Sequence, residues 1–145
     1  MKTMLLLTLV SVFAINTIYS QGQADPKAPV MKFEFTTHDF GDLSEGDNAK
    51  VDFWFTNTGK SDLVITNVKA SCGCTTPYWS KEPVAPGKKS KISAKYNTVN
   101  RPGQFNKPIT ISSNASEPTK RIIIKGNVIK ETSGIPEKKP SIVNQ

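Results

Sequence analysis

The chain is 145 residues long, 37% hydrophobic and 21% charged, with a formal net charge of +7. Such a length suits one folded domain around a single core. The charge does not make a nucleic-acid reader, because Arg101 and Arg121 are the only arginines and the lysines are scattered, with doublets at Lys88-Lys89 and Lys138-Lys139; groove and phosphate recognition leans on arginine forks and clustered cations.

Residues 1–20 read as a secretory signal peptide. Lys2 gives the early positive charge, the apolar run passes through Leu5, Leu6, Leu7, Leu9, Val10, Val12, Phe13, Ala14 and Ile15, and Ser20 is the small residue at the cut. The run is short and is broken by Thr8, Ser11 and Asn16, where a membrane span needs about 20 apolar residues. A retained N-terminal anchor is the competing reading. No cysteine lies near the cut, which excludes a lipidated N-terminal cysteine. Export, to the periplasm or beyond, is therefore expected, with no transmembrane span once the signal is removed, and it places Cys72 and Cys74 where disulfides persist.

Residues 21–31, with Pro26 and Pro29, read as a linker, and residues 130–145, with Gly134, Pro136 and Pro140 among Lys, Glu and Ser, as a disordered tail. Between them, over 32–129, apolar residues recur at period two in short runs. Phe33 and Phe35 mark the first run, followed by Phe40-Gly41-Asp42-Leu43 and a turn at Ser44 to Asp47. From Lys50 to Asn57, Val51, Phe53 and Phe55 alternate with Asp52, Trp54 and Thr56, the pattern of a strand with one apolar face. Asn57-Thr58-Gly59 is a turn signal. The third run, Leu63 to Ala70, changes face near Asn67 and Val68. After the cysteine segment and a turn at Val84 to Lys88, Ile92, Ala94 and Tyr96 alternate, then Phe105, Ile109 and Ile111, then Ile122, Ile124 and Val128. About seven strands with turns every ten or so residues and no helix predict an all-β, immunoglobulin-like β-sandwich.

The strings Phe40-Gly41-Asp42-Leu43, Phe53-Trp54-Phe55-Thr56-Asn57-Thr58-Gly59, Leu63-Val64-Ile65, Ser71-Cys72-Gly73-Cys74-Thr75, Pro86-Gly87 and Tyr96-Asn97-Thr98, with Pro77 and Trp79 between, resemble a bacterial secreted family. It is catalogued as domain of unknown function fifteen-seventy-three. The resemblance runs from Phe33 to about Val128 and implies kinship with the immunoglobulin-like domains of Hydin and major sperm protein. It implies fold and envelope location, and no activity, cofactor or catalytic residue.

Cys72-Gly73-Cys74 holds every cysteine of the chain, and three readings of it stand open. In an extended strand residues i and i+2 share a face, so the sulfurs could bridge with Gly73 bending the backbone between them. So small a ring should be easily reduced and thus open to thiol-disulfide exchange, although a thioredoxin-type site has two residues between its cysteines and a helix N-terminus to activate them. Paired thiolates also suit Cu(I) or Zn(II), but zinc needs further ligands, and His38 is the only histidine and Met31 the sole methionine after the signal. The third reading is structural: a bridged or buried pair fixing a strand-to-loop corner, with Pro77, Tyr78 and Trp79 packed nearby.

Asp39, Asp42 and Asp47 read as turn caps rather than a calcium loop. His38 has no serine or acidic partner in a hydrolase pattern. Trp54 and Trp79 read as core or edge packing, and Asn114-Ala115-Ser116 as an incidental sequon. The sequence thus predicts an exported, non-enzymatic binding or structural module of the cell envelope. Its partner would be an envelope protein or surface met at a sheet edge or loop cluster, with no nucleic acid and no cofactor. The alternative is an envelope thiol-redox or Cu(I)-handling protein working through Cys72 and Cys74, which are also the metal ligands if there are any.

Overall fold

A computed structural model describes residues 25–130; the expected signal peptide, the start of the linker and the tail lie outside the described residues. The described chain is all-β, without a helix. Its eight strands are β1 (Met31–Phe33), β2 (Thr37–Ser44), β3 (Asn48–Asn57), β4 (Ile65–Ala70), β5 (Thr75–Trp79), β6 (Lys89–Asn97), β7 (Gly103–Ser113) and β8 (Thr119–Ile129). They form two four-stranded sheets, one in the order β1-β3-β6-β5 and the other β2-β8-β7-β4.

The period-two pattern decides which way each strand faces. In β3, Ala49, Val51, Phe53, Phe55 and Asn57 turn inward, and across the ladder β6 supplies Ile92, Ala94 and Tyr96. Opposite them lie Ile109 and Ile111 of β7 with Ile122, Ile124 and Val128 of β8. Val51, Phe53, Phe55, Ile92, Ala94, Tyr96, Ile109, Ile111, Ile122 and Ile124, which alternation assigns to the facing inner surfaces, are all buried. Tyr96 stacks on Phe105 at 3.9 Å between ring centres, which ties the two sheets together. Gly126 is needed there, since a Cβ would approach the Phe105 ring and the Gly41 carbonyl to 3.0 Å.

Two local predictions are refined. The face change in the third run is a register shift between Ile65 and Asn67 against β7, so Ile65 and Val68 both reach the core. The first run and the Phe40 run belong to different sheets: β1 pairs with β3, and β2 runs parallel to β8 with a bulge between Asp39 and Asp42. Gly41 sits in that bulge at φ 66°, a conformation that favours glycine.

Order also begins earlier than residue 32. Met31 is a core residue paired with Asn57, and Pro29 is buried. The segment is held by Thr58 N–H on the Val30 carbonyl (2.9 Å) and Ser116 N–H on the Pro29 carbonyl (2.8 Å).

The eighth strand is β5, which the sequence reading passed over as a loop. Its Pro77 lacks a ladder donor, a defect that strands tolerate at a sheet edge, and β5 is the edge of its sheet. Pro108 lies instead on an inner strand, β7. Its carbonyl accepts from Ser71 N–H at 3.1 Å, just past the last β4 rung, Ala70 with Ile109. Its nitrogen faces the same side but carries no N–H to return to Ser71, so the pair keeps one bond of two and the β4 ladder ends there.

Candidate functional site

Between β4, the edge of one sheet, and β5, the edge of the other, only Ser71–Cys74 carry the chain across. Cys72 and Cys74 are joined there by a disulfide, with Cα atoms 5.3 Å apart, within the range that bridging prefers. The backbone is a bend and a turn rather than the extended strand expected from residue spacing. Gly73 is not in the left-handed region, and a Cβ on it would meet open space. The bridge therefore closes without calling on glycine's freedom, which corrects the role expected of Gly73.

The corner is fastened to both sheets. Ser71 N–H reaches Pro108 of β7, and Asn97 N–H of β6 donates to the Cys74 carbonyl at 2.9 Å. Thr75 N–H closes the turn on the Cys72 carbonyl at 3.3 Å. Buried Thr75 places its hydroxyl 3.8 Å from Cys72 Sγ and 4.0 Å from Cys74 Sγ. Both cysteines are half-buried, and Cys74 packs against the core.

Beside the corner is an open cleft of about 700 Å³, whose lining includes Gly46, Gly73, Cys74, Lys95, Asn97 and Thr98. Thr98 Oγ1 accepts from Gly46 N–H (2.9 Å) and donates to the Asp47 carbonyl (3.3 Å), tying the β2–β3 turn to the end of β6.

Of the residues singled out for chemistry, only Cys72 and Cys74 come together. Met31 lies in β1, at the far edge of the sheet that β5 borders, and His38 in β2, at the far edge of the sheet that β4 borders. The His38 ring packs edge-on against Phe40 at 4.5 Å. Among the described residues no group of three or more His, Cys, Asp or Glu side chains is placed to hold a metal ion. Two thiolates alone suit Cu(I), and they would be released only by reducing the bridge.

Asp39 and Asp47 act as turn caps, whereas Asp42 bonds a side chain of the neighbouring strand β8. Asp39 Oδ1 accepts from Gly41 N–H (2.9 Å) and Asp47 Oδ2 from Ser44 N–H (2.7 Å). The Gly41 amide, and then Lys125, hold the Asp39 carboxyl below its ordinary value. Asp42 accepts from Asn127 Nδ2 at 2.9 Å. The Asn114 side chain is likewise occupied, bonded to Val64 N–H and the Asp62 carbonyl.

The aromatic residues near the corner divide. Trp79 points inward against the core, with Lys81 Nζ 3.4 Å over its ring. Tyr78 does not pack as expected: it points outward from β5 and is 74% exposed. Trp54 also points outward, at 40% exposure, with Lys91 Nζ 5.2 Å from its ring. Tyr78, Trp54 and the lysines between them make an outward face that sequence reading missed. The signal was present in Lys89, Lys91, Ser93 and Lys95, which alternate out of phase with Ile92, Ala94 and Tyr96.

A family model described as "Protein of unknown function (DUF1573)" matches residues 31–128. No curated protein matches the sequence. Among solved structures, a protein of unknown function from Porphyromonas gingivalis is similar, with a TM-score of 0.61 at 20% identity over 72% of this chain. The PapD-like domain 7 of human CEP192 has the same TM-score at 11% identity, over 75% of this chain and 92% of its own. The secreted serine protease VesC of Vibrio cholerae matches at a TM-score of 0.53 and 16% identity, over 68% of this chain and 23% of its own. The chain spans about half the length, 49%, of the P. gingivalis protein. At such identities the likenesses show the fold alone, an immunoglobulin-like β-sandwich.

Proposed function

We propose that this chain, which belongs to the DUF1573 family of proteins of unknown function, works as an exported, non-enzymatic binding or structural module of the bacterial cell envelope. The observation that carries this reading is the use made of its two most reactive residues. Cys72 and Cys74 are joined to each other at a corner stitched to both sheets, and the hydrogen-bonding partner of both sulfurs among the described residues is the Thr75 hydroxyl. That hydroxyl is neither the cation nor the base that stands beside an activated thiol. Export is supported by the apolar leader with Lys2 and Ser20, and among the described residues no helix is long and apolar enough to cross a membrane.

The test is cell fractionation of the full chain followed by capture of partners from envelope extract. The reading expects a chain cut after Ser20 in the exported fraction, and a partner that is retained when both cysteines are replaced by serine. The alternative, envelope thiol exchange or Cu(I) handling, draws on the half exposure of both cysteines and the place of Cys74 in the cleft wall. It expects reversible turnover of the bridge, or stoichiometric Cu(I) held against a competing chelator, and loss of either in the double serine variant.

A further inference from the structure

The outward face of the β1-β3-β6-β5 sheet carries charges that the fold does not use. Lys50 of β3 stands directly opposite Lys95 of β6, an arrangement of like charges that costs a sheet stability. Both are exposed, as is Lys32 on β1, and among the described residues none of the three has an acidic partner within ion-pair distance. The carboxylates on this face are already engaged. Asp52 accepts from Lys91 (2.6 Å) and from Ser93, and Glu34 from Lys89 (2.8 Å).

Two exposed aromatic rings share the face. Trp54 is opposite Lys91, and Tyr78 is opposite Ser93. They stand two strands apart and two residues out of step, which sets their Cα atoms roughly 12 Å from each other at ordinary strand spacing and rise. That separation exceeds one sugar ring and lies within the reach of an oligosaccharide.

We propose that this face binds an anionic polysaccharide, with Trp54 and Tyr78 stacking on the apolar faces of its sugar rings and Lys50, Lys95 and Lys32 meeting its carboxylate or sulfate groups. Asp52, beside Trp54 on β3, keeps lone pairs that accept hydrogen bonds from sugar hydroxyls, while the buried Ser93 hydroxyl is spent on Asp52. The same Asp52 disfavours an anionic membrane, whose headgroups would press against a carboxylate at the centre of the contact. An acidic peptide would add as a strand at a sheet edge, whereas Lys50 and Lys95 sit on the two inner strands. The inference rests on the exported-module reading and names the class of its partner.

The experiment measures binding of the full chain to polygalacturonate by titration calorimetry, with neutral dextran, poly-glutamate and phosphatidylglycerol vesicles as comparisons. Saturable binding to polygalacturonate that weakens with salt is expected, with dextran, poly-glutamate and vesicles bound at least roughly tenfold more weakly. Lys50→Gln with Lys95→Gln, and separately Trp54→Ala with Tyr78→Ala, should each weaken it by roughly tenfold or more. Because Lys50→Gln removes a like-charge pair, the lysine variant should be at least as stable as the parent in urea, so a loss of binding there is not a loss of fold. No binding to polygalacturonate, equal binding by the variants, or binding to poly-glutamate or vesicles as tight as to polygalacturonate overturns the inference. Capture of an envelope protein by a chain that binds no polygalacturonate overturns it too, while leaving the module reading standing.

Discussion

Asn57, the last residue of β3, is fully buried and saturates its side-chain amide. Nδ2 donates to the carbonyls of Ser61 and Val84, both at 2.8 Å, and Oδ1 accepts from Val30 N–H (3.2 Å) and Gly59 N–H (3.0 Å). Two donors and two lone pairs thus hold the N-terminal segment, the turn after β3 and the isolated antiparallel bridge between Leu63 and Val84 on one side chain. In Asn57→Ala the bond to Val84 is lost in the interior, although that carbonyl keeps Leu63 N–H at 3.0 Å. The other three partners lie at the margin, where water reaches them. At about 1 kcal/mol for the buried bond and somewhat less for each of the rest, the loss comes to about 3 kcal/mol. With a urea dependence of about 2 kcal/mol per molar, the midpoint should fall by about 1.5 M. Asn57→Asp keeps the two acceptor bonds but turns a carboxylate toward two carbonyl oxygens, so it should be at least as damaging and should recover as acid protonates it. A loss under about 1 kcal/mol for alanine, or an aspartate variant as stable as the parent, would refute the reasoning.

Phe53→Ala and Phe55→Ala should each cost about 3–5 kcal/mol, because both rings are fully buried in the core of the sandwich; unchanged denaturant midpoints would put that strand's faces the other way round. Lys91 and then Ser93 donate to Asp52 and hold its carboxyl below the ordinary value of 3.8. A lowered folded pKa contributes stability that is present above the unfolded value and lost as pH falls through the folded one. Asp52→Asn should therefore be less stable at neutral pH and show a flatter loss on the acid side, as read by urea midpoints from neutral pH downward; an unchanged acid slope would count against the assignment. Opening the Cys72–Cys74 ring, which spans three residues, should cost about 1.6 kcal/mol by chain entropy alone, so the double serine variant should unfold at lower urea than the parent and still fold; stability equal to the parent's would remove the bridge from the structural account.

Alternation made the core legible. A side chain in register at period two has nowhere to go but the inner face once one face is apolar, which is why Val51, Phe53, Phe55, Ile92, Ala94 and Tyr96 could be placed without coordinates. Strand β5 was hidden because Thr75-Thr76-Pro77 lacks that alternation, and edge position, which excuses Pro77, is a property of the assembled sheet. The reach of the fold to Met31 was hidden for a similar reason. Pro29 and small neighbours read as linker, and the grip on their backbone comes from residues distant in sequence, Asn57, Thr58 and Ser116; a Cβ on Gly59 would come within 2.5 Å of Pro29 Cα. At the candidate site the extended strand was one of the open readings and the structure has a bend and a turn, since spacing alone cannot tell a strand from a turn. The outward lysine and aromatic face depends on three strands brought side by side, and Tyr78 joins Trp54 only through the β6 register.

The central claim is that the sandwich surface carries the contact and the sulfurs carry only the corner. It is tested most directly by capturing partners from envelope extract with the parent and with the Cys72→Ser, Cys74→Ser double variant side by side, at matched folded fraction. The account predicts that the parent recovers a partner and that the double variant recovers the same one in equal amount. A parent that recovers nothing, or a folded double variant that loses the partner, would contradict it.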